Sequence, residues 1–278
     1  MLRSLYSGIT GLRTHQIRMD VVANNIANVN TTGFKSARAN FQDVLAQTIG
    51  RTEINTTQVG LGVTLAAIDN IHTQGPLQTT GRVLDLAIEG NGFFVVKPVD
   101  SSGTTIDNPM YTRDGTFYFD KDGYLVNAQG YRVQQWDGSA EGDIQLDGAT
   151  GVDKDRVDTI SVGTDGTITV TGTDSAGNPA TSTFKIGIAI CGNVESLKRV
   201  GNNLWDVTPG ITDPDPLEID FAGTNGRGII RSGYLEMSNV DLAQEFTTMI
   251  TTQRGYQANA RIITTSDELL QELVNLKR

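Results

Sequence analysis

The stretch MLRSLYSGITGLRTHQIRMDVVANNIAN, residues 1–28, decides how the rest of the chain is read. Within it Leu2, Leu5, Ile9, Leu12, Gln16, Met19, Ala23 and Ile26 follow one another at alternating steps of three and four, the spacing of a helical seam. Gly8 and Gly11 lie in the same segment, and each costs an isolated helix up to about 1 kcal/mol relative to alanine. A helix that is marginal alone yet carries such a stripe orders only when packed, so it is expected to fray in a free monomer. The far end of the chain offers a partner. There Leu242, Phe246, Met249, Gln253, Tyr256, Ala260, Ile263, Asp267, Leu270 and Val274 step by four and three in the same way. The two ends are therefore predicted to be helices that pair through these stripes, with polar Gln253 and Asp267 fixing their register.

Working outward from the first helix, Asn24, Asn25 and Asn28 fall within one turn of each other, placed to end the helix and to cross-link backbone groups of the reversal. Gly33 supplies the positive φ that a tight turn demands. Residues 36–80 are polar and rich in Thr, Asn and Gly, and they read as a connector. From residue 81 to 232 short apolar runs alternate with Gly and Asp-Gly turns, the pattern of a β domain. The run broken by Gly90-Asn-Gly92 carries a hairpin or bulge signal, and Asp120 and Asp122 before Gly123 mark a hairpin turn rather than a calcium loop. Proline thickens through residues 208–228, a loop, and 137–185 could hold a small outer subdomain. Residues 233–278 return to helix, with Ser238 or Asn239 as N-cap and a capping box at 265–268 that allows a break near Thr264. The fold class expected is α+β: N- and C-terminal helices forming a coiled-coil domain from 1–35 and 233–278, and a central, mainly β domain of short strands.

Charge and residue inventory narrow the function. The formal net charge of -10 is concentrated in residues 51–230, which hold 12 Lys and Arg against 24 Asp and Glu. An acidic middle lacks the basic surface that phosphate neutralisation requires, so no nucleic acid partner is expected. The single cysteine, Cys191, follows an apolar run and reads as a buried strand residue. Only two histidines exist, His15 on the polar side of the first helix and His72 in the connector, with no nucleophile or ligand set beside either. Neither catalysis, nor a cofactor, nor a metal is expected. Ser4, Ser7, Thr10, Arg13, His15 and Arg18 interrupt any apolar leader, and no run spans a bilayer, so neither a cleaved signal peptide nor membrane insertion is expected.

The run Ala23-Asn-Asn-Ile-Ala-Asn-Val-Asn-Thr-Thr-Gly-Phe-Lys35, following Met1-Leu-Arg-Ser-Leu-Tyr-Ser-Gly8, resembles the N-terminal signature of the bacterial flagellar rod and hook proteins. Gly81-Arg-Val-Leu-Asp-Leu-Ala-Ile-Glu-Gly-Asn-Gly-Phe-Phe94, Tyr111-Thr-Arg-Asp-Gly-Thr-Phe117 and Gly201-Asn-Asn-Leu-Trp205 are similar to β-domain motifs of that family, and 233–278 resembles its C-terminal signature. Residues 137–185 match no motif of the family. The resemblance implies a structural subunit whose terminal helices pair as an inner coiled coil, with the β domain outside it, in a helical homopolymer. It implies the hook first, as a bendable tube passing torque from rod to filament, with the distal rod as the alternative. A monomeric coiled-coil binding protein fits the stripes but not the motifs. The implied partners are copies of the chain, other axial proteins (distal rod, hook cap, hook–filament junction) and the flagellar type III export apparatus. The implied location is the flagellum, as hook outside the cell or as rod in the envelope. Residues 50–59 are where hook and rod should differ, because added contacts between neighbours there would stiffen the tube.

Overall fold

The computed structural model describes residues 2–51, 56–100, 104–106, 108–138, 141–146, 151–207 and 218–276. The protein is α+β, mostly short strands with a helix at each end of the chain, α1 over Leu2–Ala27 and α2 over Leu242–Leu276. It divides into two compact units: Met1–Val29, Lys35–Ile71 and Val240–Arg278 form one, and Asn30–Phe34 with His72–Asn239 form the other.

In the first unit α1 stops where its asparagines take over the last carbonyls. The Asn28 amide N–H donates to Asn24 O and Asn25 O at 3.2 Å, and Asn28 Nδ2 donates to Asn24 O at 2.9 Å. The cap of α2 is Asp241, three residues beyond Ser238 and two beyond Asn239: Ala243 N and Gln244 N donate to its Oδ1 at 2.8 and 3.3 Å. No break occurs near Thr264, because the hydroxyls of Thr264, Thr265 and Ser266 return to carbonyls of the preceding turn and α2 runs on without interruption.

Residues 36–71 are not a bare connector. Ala37–Asp43 pairs antiparallel with Val63–Asn70, with a bulge at Asn40/Phe41, and Ala46–Arg51 pairs with Thr56–Gly60. The first of these ribbons lies against α1. Gly62 comes so close to Thr10 that a side chain has no room there, and Val63 N donates to Thr10 Oγ1 at 3.4 Å.

Among the described residues every strand pairing of the second unit is antiparallel, and the unit is organised by Phe93–Lys97, which pairs with Met110–Thr112, Arg132–Trp136 and Gly187–Ile190. Both faces of that strand are covered, so successive side chains enter different cores. Phe94 and Val96 join Leu86, Ile88, Phe117 and Ile188 in the larger one; Phe93 and Val95 join Tyr111, Leu197 and Trp205 in the smaller. The meander of Val157–Val162, Thr167–Thr173 and Pro179–Lys185 sends Ile168 and Val170 into the larger core as well.

The Gly90-Asn-Gly92 segment does not close a hairpin. Leu86–Glu89 pairs with Ile229–Ser232 while Phe93–Lys97 pairs elsewhere, so the chain turns a corner between sheets. Gly90 (φ +115°) and Gly92 (φ +125°) make that corner possible. The hairpin at Asp120 and Asp122 is present: Gly123 N donates to Asp120 O at 2.9 Å, and Tyr118–Phe119 pairs with Leu125–Val126. Cys191 lies just past the end of its strand, half-buried, its thiol donating to Asn193 O at 3.0 Å. Asp147-Gly148, one of the Asp-Gly pairs expected to form turns, lies outside the described residues, as do the first ten residues of the Pro-rich loop and 52–55 of the segment expected to separate hook from rod.

Candidate assembly surface of the terminal helices

The two helices lie antiparallel, Gly8 opposite Ile263 and Asn25 opposite Glu245. Small residues carry this contact. A Cβ on Gly8 would meet Ile263 Cγ1 at 3.3 Å, one on Gly11 would fall 2.6 Å from Asn259 Nδ2, and one on Gly255 would fall 2.7 Å from the His15 ring. Thr14, Val22 and Asn25 of α1 and Thr252 and Ser266 of α2 are buried along the same line. The buried hydroxyls are satisfied within their own helices, Thr14 on Thr10 O and Gly11 O at 3.0 Å, Thr252 on Thr248 O at 2.7 Å and Ser266 on Ile262 O at 2.7 Å. Asn25 closes one end: its Nδ2 donates to Glu245 Oε1 and to Ala37 O at 2.9 Å, and its Oδ1 accepts from Ala37 N at 3.0 Å.

This seam is the expected one displaced by one residue along α1 and along α2 from Glu245 to Asn259, whereas farther on Ile263 keeps its expected place in the seam, facing Gly8. Gly8, Gly11, His15, Val22 and Asn25 stand where Ile9, Leu12, Gln16, Ala23 and Ile26 were expected, and Glu245, Thr248, Thr252, Gly255 and Asn259 precede Phe246, Met249, Gln253, Tyr256 and Ala260. One residue is about 100° of helix rotation. The cause is that glycine lets two backbones approach more closely than leucine does, and the small stripe lies beside the apolar one. The apolar stripes consequently remain open. Ile9 is 52% exposed, Phe246 49% and Val274 67%; Leu242 and Tyr256 are exposed as well. Leu5, Leu12, Met19, Ile26, Met249, Ile263 and Leu270 are half-buried, and the Leu2 side chain lies outside the described residues. Five further exposed apolar residues, Tyr6, Ile250, Ile262, Leu269 and Leu276, escaped the periodicity because they fall off its three-four step. Of the turn residues, Asn24 accepts at Oδ1 from Asn28 Nδ2 at 2.9 Å, and Gly33 (φ +65°) belongs to the second unit.

His15, expected on the polar side, sits in the seam against Gly255. Its Nδ1 is buried with no hydrogen-bond partner among the described residues. Burial, and then the Arg18 charge, hold its pKa below the usual imidazole value of 6.5. In the second unit His72 packs on Trp205 at 4.7 Å between ring centroids and on Phe93 at 6.1 Å. It lines a cavity of about 270 Å³ with Phe93, Arg113 and Cys191. No group of three His, Cys, Asp or Glu that could hold a metal gathers among the described residues, and no described helix is long and apolar enough to cross a membrane.

Three segments match known families. Residues 5–35 match the family described as Flagella basal body rod protein, 87–170 the Flagellar hook protein FlgE/F/G D1 domain, and 231–276 the Flagellar basal body rod FlgEFG protein C-terminal. The chain is 43% identical over 286 residues to the flagellar basal-body rod protein FlgG of Bacillus subtilis strain 168, with 100% of both chains covered. It belongs to the FlgE/FlgG family of flagellar hook and rod proteins. A second FlgE/FlgG relative, FlgG of Borreliella burgdorferi, is 36% identical over 288 residues, again across 100% of both chains. The flagellar hook protein FlgE of the same organism is 33% identical, with 100% of both covered but over 448 positions. The FlgE/FlgG family comprises structural components of the flagellum rather than enzymes, and this chain is a flagellar rod or hook component.

Proposed function

We propose that the chain is a rod subunit of the flagellar basal body, in the distal rod, and that it polymerises there into a stiff tube. The observation that carries this reading is the full-length match to rod FlgG at 43% identity over 286 positions, close to the 278 residues of the chain. The alignment with a hook protein needs 448 positions, far more than the chain has.

Assembly follows from the open stripes. Each large apolar side chain moved from water into a contact contributes roughly 1.5–3 kcal/mol, and α1 and α2 present several on the sides that their mutual seam leaves free. Neighbouring copies cover these stripes, so the helix pairs build a coiled-coil layer along the tube. Contacts between copies are heterologous and non-closing, which generates a helix rather than a ring. The subunit leaves the cell through the flagellar type III apparatus, and it meets other axial proteins at the two ends of the rod.

The second reading is the hook, favoured by the 33% identity of the whole chain to the hook protein FlgE of Borreliella burgdorferi. Electron microscopy of basal bodies from a strain lacking this gene separates the two. A truncated rod is the expected result; an intact rod with no hook would overturn the rod assignment in favour of the hook.

A further inference from the structure

The chain passes between its two units at 29/30, 34/35, 71/72 and 239/240. Within the second unit, every segment that begins or ends at one of these crossings is seated on one buried ion pair. The Glu236 side chain is 0% exposed and that of Arg113 5%, and Arg113 Nη1 donates to Glu236 Oε2 at 3.2 Å. The other carboxylate oxygen, Oε1, accepts from Gly75 N at 2.9 Å, which fixes the segment entering after 71/72. The backbone of the same residue holds another: Gly33 N donates to Glu236 O at 2.8 Å. Gly33 also rests on the Arg113 side of the pair, since a Cβ there would fall 2.7 Å from Asp114 N and 2.8 Å from the Arg113 carbonyl carbon. Beside it Thr32 donates to the Asp114 carboxylate. The segment leaving at 239/240 follows Glu236 directly: Met237 N donates to Pro76 O at 2.9 Å and Asn239 Nδ2 to Thr73 Oγ1 at 2.9 Å. Arg113 Nη2 ties the pair to the sheet corner through Gly90 O at 2.8 Å.

We propose that Arg113 and Glu236 are the positioning residues that anchor all the inter-unit crossings onto the β unit, so that the pair governs local opening of residues 30–34, 72–76 and 237–239 independently of the β core. A charged pair is an exacting choice for this post. A buried carboxylate and guanidinium must keep their geometry to offset their desolvation, so the segments bonded to them open together or stay closed.

The test is hydrogen exchange on the full-length monomer, comparing wild type with Glu236→Gln, a change of nearly equal size that leaves Arg113 charged and uncompensated. The expected result is at least tenfold faster exchange at Gly33, Gly75 and Met237, with strand Phe93–Lys97 and strand Gly187–Ile190 changed less than twofold. Arg113→Lys, which keeps the charge but not both hydrogen bonds, gives the same pattern more weakly and supplies the comparison if Glu236→Gln does not fold. The double variant Arg113→Gln/Glu236→Gln opens the crossings no faster than Glu236→Gln alone. Unchanged exchange at the crossings, equal acceleration in crossings and core, or additive acceleration in the double variant each overturns the proposal.

Discussion

His15 couples the helix pair to acidity. Its ring lies against Gly255, and its pKa is held below 6.5 by burial and by Arg18, so protonation is less favourable in the folded seam than in the unfolded chain. For a group whose folded pKa is depressed, the unfolded state binds the proton first as pH falls, and stability drops from about the unfolded value downward. Helix-pair stability should therefore be flat above neutral pH and decline between about pH 6.5 and the lowered folded value. Thermal melts of the helical signal at about pH 7.5 and about pH 5 check this, because His15→Gln should lose its share of the decline. At the same scale, Ile9→Asp and Phe246→Asp place a charge on open stripes rather than in the seam. Each should change monomer stability by no more than about 0.5 kcal/mol and yet abolish filament formation, read by denaturant unfolding and by electron microscopy.

Between elements, the seam itself is the weak joint. Gly11→Leu drives a side chain into Asn259, so the helix pair should lose roughly 1–3 kcal/mol through overpacking, measured as a lowered midpoint of the helical transition. Periodicity made both helices legible but misplaced their shared face. It reports where the large apolar residues are, and Leu2, Leu5, Ile9 and Leu12 outweigh Gly8 and Gly11 in any such reading, although backbone contact requires the glycines. The strands within 36–71 were illegible for a different reason. Ala37–Asp43 and Val63–Asn70 show no alternation of buried and exposed positions, so no period of two exists to be read. The hairpin signal of Gly90-Asn-Gly92 misled because the partners of its flanking strands are remote in sequence: Ile230 for Ile88, and Thr112 and Ile188 for Phe94. The exposure of the assembly stripes could not be read from periodicity at all, because a stripe with two possible partners looks the same whichever one covers it.

For the molecule as a whole, the cores and the terminal helices belong to different units. Both apolar clusters are built from residues of the second unit, so removing residues 2–27 should leave the β signal and its unfolding transition in place while filaments no longer form. Hydrogen exchange on the intact chain should find α1 and α2 weakly protected in the monomer and strongly protected in the polymer, because a seam of small residues stabilises the pair little until neighbours cover the stripes. Equal protection in the two states would count against assembly-coupled ordering.

The antiparallel pairing of Leu2–Ala27 with Leu242–Leu276 also sets a timetable. Residues of α1 must wait for α2 before the helix seam can form, although the ribbon of Ala37–Asp43 and Val63–Asn70 reaches them sooner, whereas strands Leu86–Glu89 to Tyr234–Glu236 meet their pairing partners before α2 is made. A nascent or threaded chain thus presents a structured middle first, and the seam between its two helices closes last.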